Sequence, residues 1–173
     1  ATRITSDEEE RQRQGYETIT TFKYMEENGL PRFTSLQVSE GDEELLVIRY
    51  GPTATLWRIN LGWRRRKEKS IYGFNIDVTS GMWSKDDQAP EDVDDSVDHG
   101  KTIQRIAPYV EDRRNILILQ PSETLDDASM ATLQYAFKRG IEAAFQLEER
   151  ELAAEPLPER GSRNGILFYE SSE

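Results

Sequence analysis

From Tyr16 to Val78 the sequence alternates apolar and polar residues in short runs, and this period of two restricts the possible folds more than any other feature. Successive side chains of a β-strand point to opposite faces of a sheet, so the alternation predicts half-buried strands. The predicted strands cover residues 16–24, 33–38, 44–50, 53–61 and 72–78. Turn residues at Gly41 and at Gly51-Pro52 separate them, and strands this short indicate an antiparallel meander.

After Thr124 the spacing of apolar residues changes from two to three or four. This spacing predicts an amphipathic helix from Met130 to Leu152, capped by Thr124 and ended by Pro156 and Pro158. The apolar stripe of that helix consists of Met130, Leu133, Phe137, Ile141, Ala144 and Phe145. Further strands are predicted at residues 103–110, 114–119 and 165–169.

These patterns together predict an α+β fold. An antiparallel sheet of about six to eight strands carries one long amphipathic helix on one face. A short polar N-terminal helix, capped by Thr5 or Ser6, precedes the sheet. We therefore expect a polar helix or linker over residues 1–15 and a single α+β domain over residues 16–173.

Residues 86–98 form a run of carboxylates, which we interpret as an acidic flexible loop. The run does not match an EF-hand, because it lacks the glycine at the sixth position and the closing glutamate. His99 is the only histidine and the chain has no cysteine, so these residues cannot build a transition-metal site. No metal site is expected within the chain.

A basic segment follows Trp63 and contains Arg64, Arg65, Arg66, Lys67 and Lys69. The whole chain has 22 Lys and Arg against 33 Asp and Glu, a net charge of −11, so its overall field repels phosphate. Two interpretations of the segment stay open. It is a solvated hairpin tip, or it is a strip that contacts phosphates together with Arg58, with Trp63 or Trp57 stacking on a base or sugar.

The sequence contains no pattern typical of a catalytic site. It has neither a phosphate-binding Gly-x-x-x-x-Gly-Lys-Ser/Thr loop nor a dinucleotide Gly-x-Gly-x-x-Gly motif. Ser80 does not lie in a nucleophile elbow, and no partner marks His99 as a general base. We expect this chain to be non-catalytic. No apolar run is long enough to span a membrane, so we expect a cytoplasmic location and no membrane partner.

The order of several segments resembles the C-terminal region of large superfamily 2 DEAD/DEAH-type helicases. The segments that carry the resemblance are residues 5–18, Tyr50-Gly51-Pro52-Thr53-Ala54, Ile59-Asn60-Leu61-Gly62-Trp63-Arg64, residues 132–142, Glu151-Leu152 and Ile166-Leu167-Phe168-Tyr169-Glu170. They are similar to the MrfA-like zinc-binding domain appended to such helicases. Within that group the chain most resembles the helicase subunit of the DISARM anti-phage defence system.

The resemblance implies a parent chain that is an ATP-dependent helicase, with ATP and Mg bound upstream of Ala1 and Zn bound by cysteines downstream of residue 173. The chain is then a fragment of that protein, with residues 1–15 linking it to the preceding helicase domain. No ATPase or zinc-binding residue is carried over to the residues present here. DNA, reached through the parent helicase, and a protein subunit of a defence complex are the implied partners.

We therefore expect a non-catalytic accessory domain of a DNA helicase or translocase, in anti-phage defence or DNA repair, that positions DNA or docks a partner subunit. The predicted nucleic-acid-binding residues are Arg58, Trp63, Arg64, Arg65, Arg66, Lys67 and Lys69. The alternative is a pure protein-interaction scaffold without nucleic-acid contact.

Overall fold

The computed structural model describes residues 15–83, 102–159 and 161–171, and within them it places ten strands and one helix. The strands are β1 (Tyr16–Lys23), β2 (Glu26–Glu27), β3 (Leu30–Pro31), β4 (Thr34–Glu40), β5 (Glu43–Trp63), β6 (Phe74–Asp77), β7 (Ile103–Ile106), β8 (Tyr109–Pro121), β9 (Leu152–Leu157) and β10 (Gly165–Glu170). The helix, α1, spans Asp127–Phe145. The predicted N-terminal helix, the acidic loop at 86–98 and His99 lie outside the described residues.

The described chain divides into two compact units. The first unit comprises residues 15–19, 58–83 and 102–110, and the second comprises residues 20–57, 111–159 and 161–171. Strands β1, β5 and β8 contribute residues to both. The predicted boundaries, a linker over 1–15 and one domain over 16–173, stay a prediction.

The main sheet has six strands in the order β1-β5-β8-β10-β9, and β4 also pairs with β5. The two neighbours of β10 run antiparallel to it, with Phe168 opposite both Leu117 and Ala154. Two small antiparallel sheets complete the described strands, one formed by β2 and β3 and the other by β6 and β7. The prediction of an α+β fold built on antiparallel pairing is confirmed.

Alternate residues of the sheet in the second unit enter two different apolar clusters. The inner cluster consists of Ala54, Leu56, Ile116, Ile118, Ala153, Leu167 and Tyr169. The helix-side cluster consists of Leu119, Met130, Leu152, Ile166 and Phe168. Five of the six residues of β10 are buried, because each face of this strand is covered by one of the clusters.

A buried polar junction connects the two end strands of the sheet. Thr20 lies on β1 and Glu155 lies on β9, at opposite ends of the strand order, yet the Thr20 hydroxyl donates a hydrogen bond to Glu155 Oε2. The Tyr169 hydroxyl donates to Glu155 Oε1 at 2.5 Å. All three residues are buried, so the sheet curves until its end strands meet around this carboxylate.

Helix α1 packs on the sheet through the apolar stripe of its first four turns. Met130 is buried in the helix-side cluster, and Leu133, Phe137 and Ile141 pack against the same cluster. Asp126 caps the helix by accepting a hydrogen bond from the Ser129 N–H at 2.9 Å. The prediction that Thr124 is the cap is therefore wrong by two residues.

The predicted C-terminal end of the helix is also wrong. Gln146 adopts the left-handed conformation with φ of 54° and ends the helix at Phe145, which is 73% exposed. The expected stripe residue Ala144 is likewise exposed. Leu152 begins strand β9, and Pro156 lies inside that strand. An end strand tolerates proline because one side of its backbone makes no ladder hydrogen bonds.

Gly51 and Pro52 do not separate two strands as predicted, since β5 runs continuously for 21 residues. Gly51 is buried because the Tyr24 ring lies on it: a Cβ at position 51 would approach Tyr24 Cδ1 to 2.5 Å. Thr53 takes a positive φ of 50°, and its N–H donates to Asn115 Oδ1 at 3.1 Å. Glycine at position 51 therefore allows the Tyr24 ring to pack directly on the backbone of β5.

We predict that Tyr169→Phe destabilises the protein by about 1–3 kcal/mol, because it removes a donor from a buried carboxylate. The free energy of unfolding in urea measures this change. The matched control is Tyr50→Phe, which removes an exposed hydroxyl and should change the stability by less than about 0.5 kcal/mol. Equal stability of the two variants would contradict a structural role for the junction.

The helix cap should make stability depend on acid. Hydrogen bonds from the Ser129 N–H and hydroxyl lower the pKa of Asp126 below its ordinary value. The stabilisation is therefore present above the unfolded-state pKa and disappears as the pH falls through the lower folded-state pKa. Asp126→Asn keeps a capping side chain but does not titrate. In urea unfolding at about pH 3 and pH 7, we expect the wild type to be destabilised more by acidification than this variant.

Candidate nucleic-acid interface

The basic segment lies in the first unit, between the end of β5 and the start of β6. Two close backbone approaches require glycine at its ends. A Cβ at Gly62 would lie 2.9 Å from the Gly73 carbonyl oxygen, and one at Gly73 would lie 2.3 Å from the Ile106 carbonyl oxygen. Both glycines have positive φ, 109° and 88°, which other residues rarely adopt. The first of these contacts brings the two ends of the segment together, and the second places its C-terminal end against β7.

Arg66 is folded into the segment and does not face solvent. Its side chain is 3% exposed, and Nη1 lies 2.5 Å from Glu17 Oε2. The guanidinium also donates to the Trp63 carbonyl at 3.1 Å and to the Lys69 carbonyl at 2.8 Å. Its central carbon lies 5.0 Å from the centre of the Tyr72 ring. One buried cation therefore contacts both ends, Trp63 and Lys69, of the part of the basic segment that we call the basic turn (residues 63–69).

Arg105 on β7 holds the neighbouring part of the same loop. Its guanidinium donates to the backbone carbonyls of Tyr72 at 2.6 Å and Gly73 at 3.1 Å. It also donates to Asn75 Oδ1 at 3.1 Å. The sequence carries no signal for this role, since Arg105 stands far from the basic segment and in no recognisable motif. The role becomes evident only from the pairing of β6 with β7.

Four cations of the segment are exposed: Arg64, Arg65, Lys67 and Lys69. The Lys69 ammonium donates to the Arg64 carbonyl, which closes the turn. Hydrogen bonds from the Ser70 hydroxyl and N–H lower the pKa of Glu68, so this carboxylate stays charged among the four cations. The exposed surface of the turn thus carries a local excess of positive charge.

An aromatic cluster supports the turn. The rings of Tyr16 and Trp63 stack with centroids 4.5 Å apart, and Phe74 contacts both of them edge-on. Trp83 adds a fourth ring, 5.8 Å from Phe74. Trp63 is 42% exposed although it stacks on Tyr16, so part of its surface is open to solvent beside Arg64.

The structure thus brings together five of the predicted residues, namely Trp63, Arg64, Arg65, Lys67 and Lys69. The sixth predicted residue of the segment, Arg66, is buried and forms an ion pair with Glu17, so its side chain is not exposed for a phosphate contact. Arg58 is half-buried on β5. Trp57, the other aromatic considered for stacking, belongs to the second unit and donates its indole N–H to Glu111 Oε2 at 2.7 Å.

Among residues 15–83, 102–159 and 161–171, no three His, Cys, Asp or Glu side chains form a group that could hold a metal ion. Within the same residues, no helix is both long and apolar enough to cross a membrane.

We predict that truncation to alanine changes the free energy of unfolding much more at Arg66 than at the adjacent Arg65. Arg66→Ala removes a buried cation with several hydrogen bonds and should cost about 2–3 kcal/mol in the free energy of unfolding. Arg65→Ala removes an exposed cation and should change it by less than about 0.5 kcal/mol. Both variants remove one positive charge, so each controls for the net charge of the other. Similar unfolding free energies would contradict the structural role of Arg66.

Comparison with known proteins finds no matching family model, no similar curated protein and no similar solved structure.

Proposed function

We propose that this chain is a non-catalytic accessory domain of an ATP-dependent DNA helicase or translocase, and that the basic turn of its first unit contacts the nucleic-acid backbone. One observation supports this most strongly: a buried arginine, Arg66, fixes the turn from inside while its neighbours present their charges to solvent. A turn held in this way loses little conformational entropy when it binds phosphates, so the entropy cost of binding is small.

The charge distribution supports backbone contact without sequence reading. Arg64, Arg65, Lys67 and Lys69 lie within six consecutive positions of a chain whose net charge is −11. Attraction to phosphate is therefore local, and it depends on salt through the release of counterions. Trp63 offers an exposed ring beside these cations, a combination used for stacking on bases or sugars.

The wider proposal follows the resemblance to superfamily 2 helicases. In this proposal α1 is the long amphipathic helix of the accessory domain. ATP, Mg and Zn belong to other parts of the parent chain, and a cytoplasmic role in anti-phage defence or DNA repair is implied. DNA positioning and docking of a partner subunit are the two tasks of such a domain.

The first unit also exposes apolar side chains, which favour docking of a partner subunit and support the alternative of a protein-interaction scaffold. Tyr72, Met82 and Trp83 are large apolar side chains and are more than half exposed. Exposed apolar groups of this size are typical of contact surfaces for another protein. A scaffold would depend on these residues and would be indifferent to the exposed cations.

We predict that the triple change Arg64→Ala, Arg65→Ala and Lys67→Ala weakens DNA binding about equally for unrelated sequences. The slope of log K against log salt should flatten by about 0.7 to 0.9 for each phosphate that the variant no longer neutralises. Fluorescence anisotropy with labelled oligonucleotides, started at about 50 mM salt to limit screening, measures both quantities.

The control triple changes Lys23, Arg113 and Arg150 to Ala, three exposed cations of the second unit, and alters the net charge by the same amount. It should bind DNA with an unchanged slope. Equal weakening in both triples would mean that only net charge matters. An unchanged slope in the first triple would favour the scaffold.

A further inference from the structure

Among the described residues, strand β4 forms an open edge of the main sheet. It pairs with β5, and the described residues offer its other side no partner strand. Six of its seven residues are exposed and Val38 is half-buried. The outward row of backbone N–H and C=O groups on such a strand can pair with a further strand.

Proteins usually block a free edge with charge, proline or a bulge, and β4 has none of these over most of its length. Residues 34–39 contain neither a charged residue nor a proline. The one irregularity of the hairpin is an extra residue in the partner strand, where the register passes from Leu46 to Glu44 and skips Leu45. The backbone of β4 itself stays regular. By contrast, the end strand β9 carries Pro156.

Two opposite charges flank the centre of β4 symmetrically: Arg32, two residues before the strand begins, and Glu40, its last residue. Arg32 lies four positions before Leu36 and Glu40 lies four positions after it. If two β4 strands pair antiparallel with Leu36 opposite Leu36, and the pairing continues two residues beyond Thr34, each Arg32 lies opposite a Glu40. Arg32 is free to take that partner, because its contact with Glu27 is long, 3.8 Å, and both side chains are more than half exposed.

The same register continues an apolar face. Leu36 is 59% exposed and pairs with Ile48 of β5, while Thr34 pairs with Tyr50. Leu36, Ile48 and Tyr50 therefore share one face of the hairpin. A second copy in this register would place its own Leu36 directly beside the first and extend that face without bringing any like charges together.

We propose that two copies of this chain associate by antiparallel pairing of their β4 strands, with Leu36 opposite Leu36 and Arg32 opposite Glu40 of the second copy. Such an interface is two-fold symmetric and uses the same strand of each copy. It lies in the second unit and does not involve the basic turn, so it goes beyond the proposed function and does not depend on it.

Exchanging the end charges tests the register directly. Sedimentation of the full 173-residue chain at about 0.15 M salt should show a concentration-dependent shift from one chain of 20.0 kDa to two. Arg32→Glu alone places like charges at both ends of the pairing and should raise the dissociation constant on the order of tenfold. Glu40→Arg alone should do the same, whereas the double variant restores both opposite-charge pairs and should dimerise like the wild type.

A second pair of variants tests the centre of the strand. Leu36→Lys places two ammonium groups opposite each other across the symmetry axis and should abolish the dimer. Ser35→Lys adds the same charge one position away, where its partner is the neutral Gln37, and should retain the dimer. Thermal unfolding of each variant checks that the exposed substitutions leave the fold intact.

A chain that stays monomeric to the order of 100 μM would overturn the proposal, since an interface weaker than that has little effect at cellular concentrations. A dimer that persists in the single charge variants and in Leu36→Lys would also overturn it, by showing that another surface is used. Failure of the double variant to recover, with both singles weakened, would exclude this register.

Discussion

The second unit depends on how one buried carboxylate is satisfied. Glu155 lies in the space where β1 and β9 approach each other, and it accepts hydrogen bonds from Thr20 and Tyr169. Burying a carboxylate without donors would be costly, so the two hydroxyls stabilise the sheet in this curvature. The inner cluster is enclosed as a result, because the junction fixes the two strands that flank it.

The first unit likewise contains a buried charged group that is satisfied by hydrogen bonds, but this group is a cation. Arg66 is buried, pairs with Glu17 and donates to the backbone carbonyls of Trp63 and Lys69 in the turn. Each unit thus contains a buried ionisable side chain that organises its surroundings. The neighbouring cations are exposed and can contact a ligand. Their arrangement depends on Arg66, because this buried side chain fixes the turn that carries them.

Residue patterns predict those parts of the fold where burial follows the local period. Alternation identified the strand around Tyr16, and the spacing of Met130, Leu133 and Phe137 identified the helix. The prediction that Pro156 ends the helix was wrong, because proline is tolerated in a strand that lies at the end of a sheet. The prediction that Gly51 lies in a turn was wrong, because the residue that packs on it, Tyr24, is distant in sequence. At the site, the sequence identifies a basic cluster but cannot tell Arg66 from Arg65, because the deciding partner, Glu17, lies 49 positions away.

The position of β10 in the sheet has a consequence for the order of folding. This strand lies between β8 and β9, although it follows both of them in sequence. During synthesis, β8 therefore has an open edge, and both apolar clusters lack their central members until residues 165–170 have emerged. Contacts between strands so far apart in sequence form slowly. The second unit should consequently collapse cooperatively and late, with its incomplete forms exposing the strands most able to aggregate.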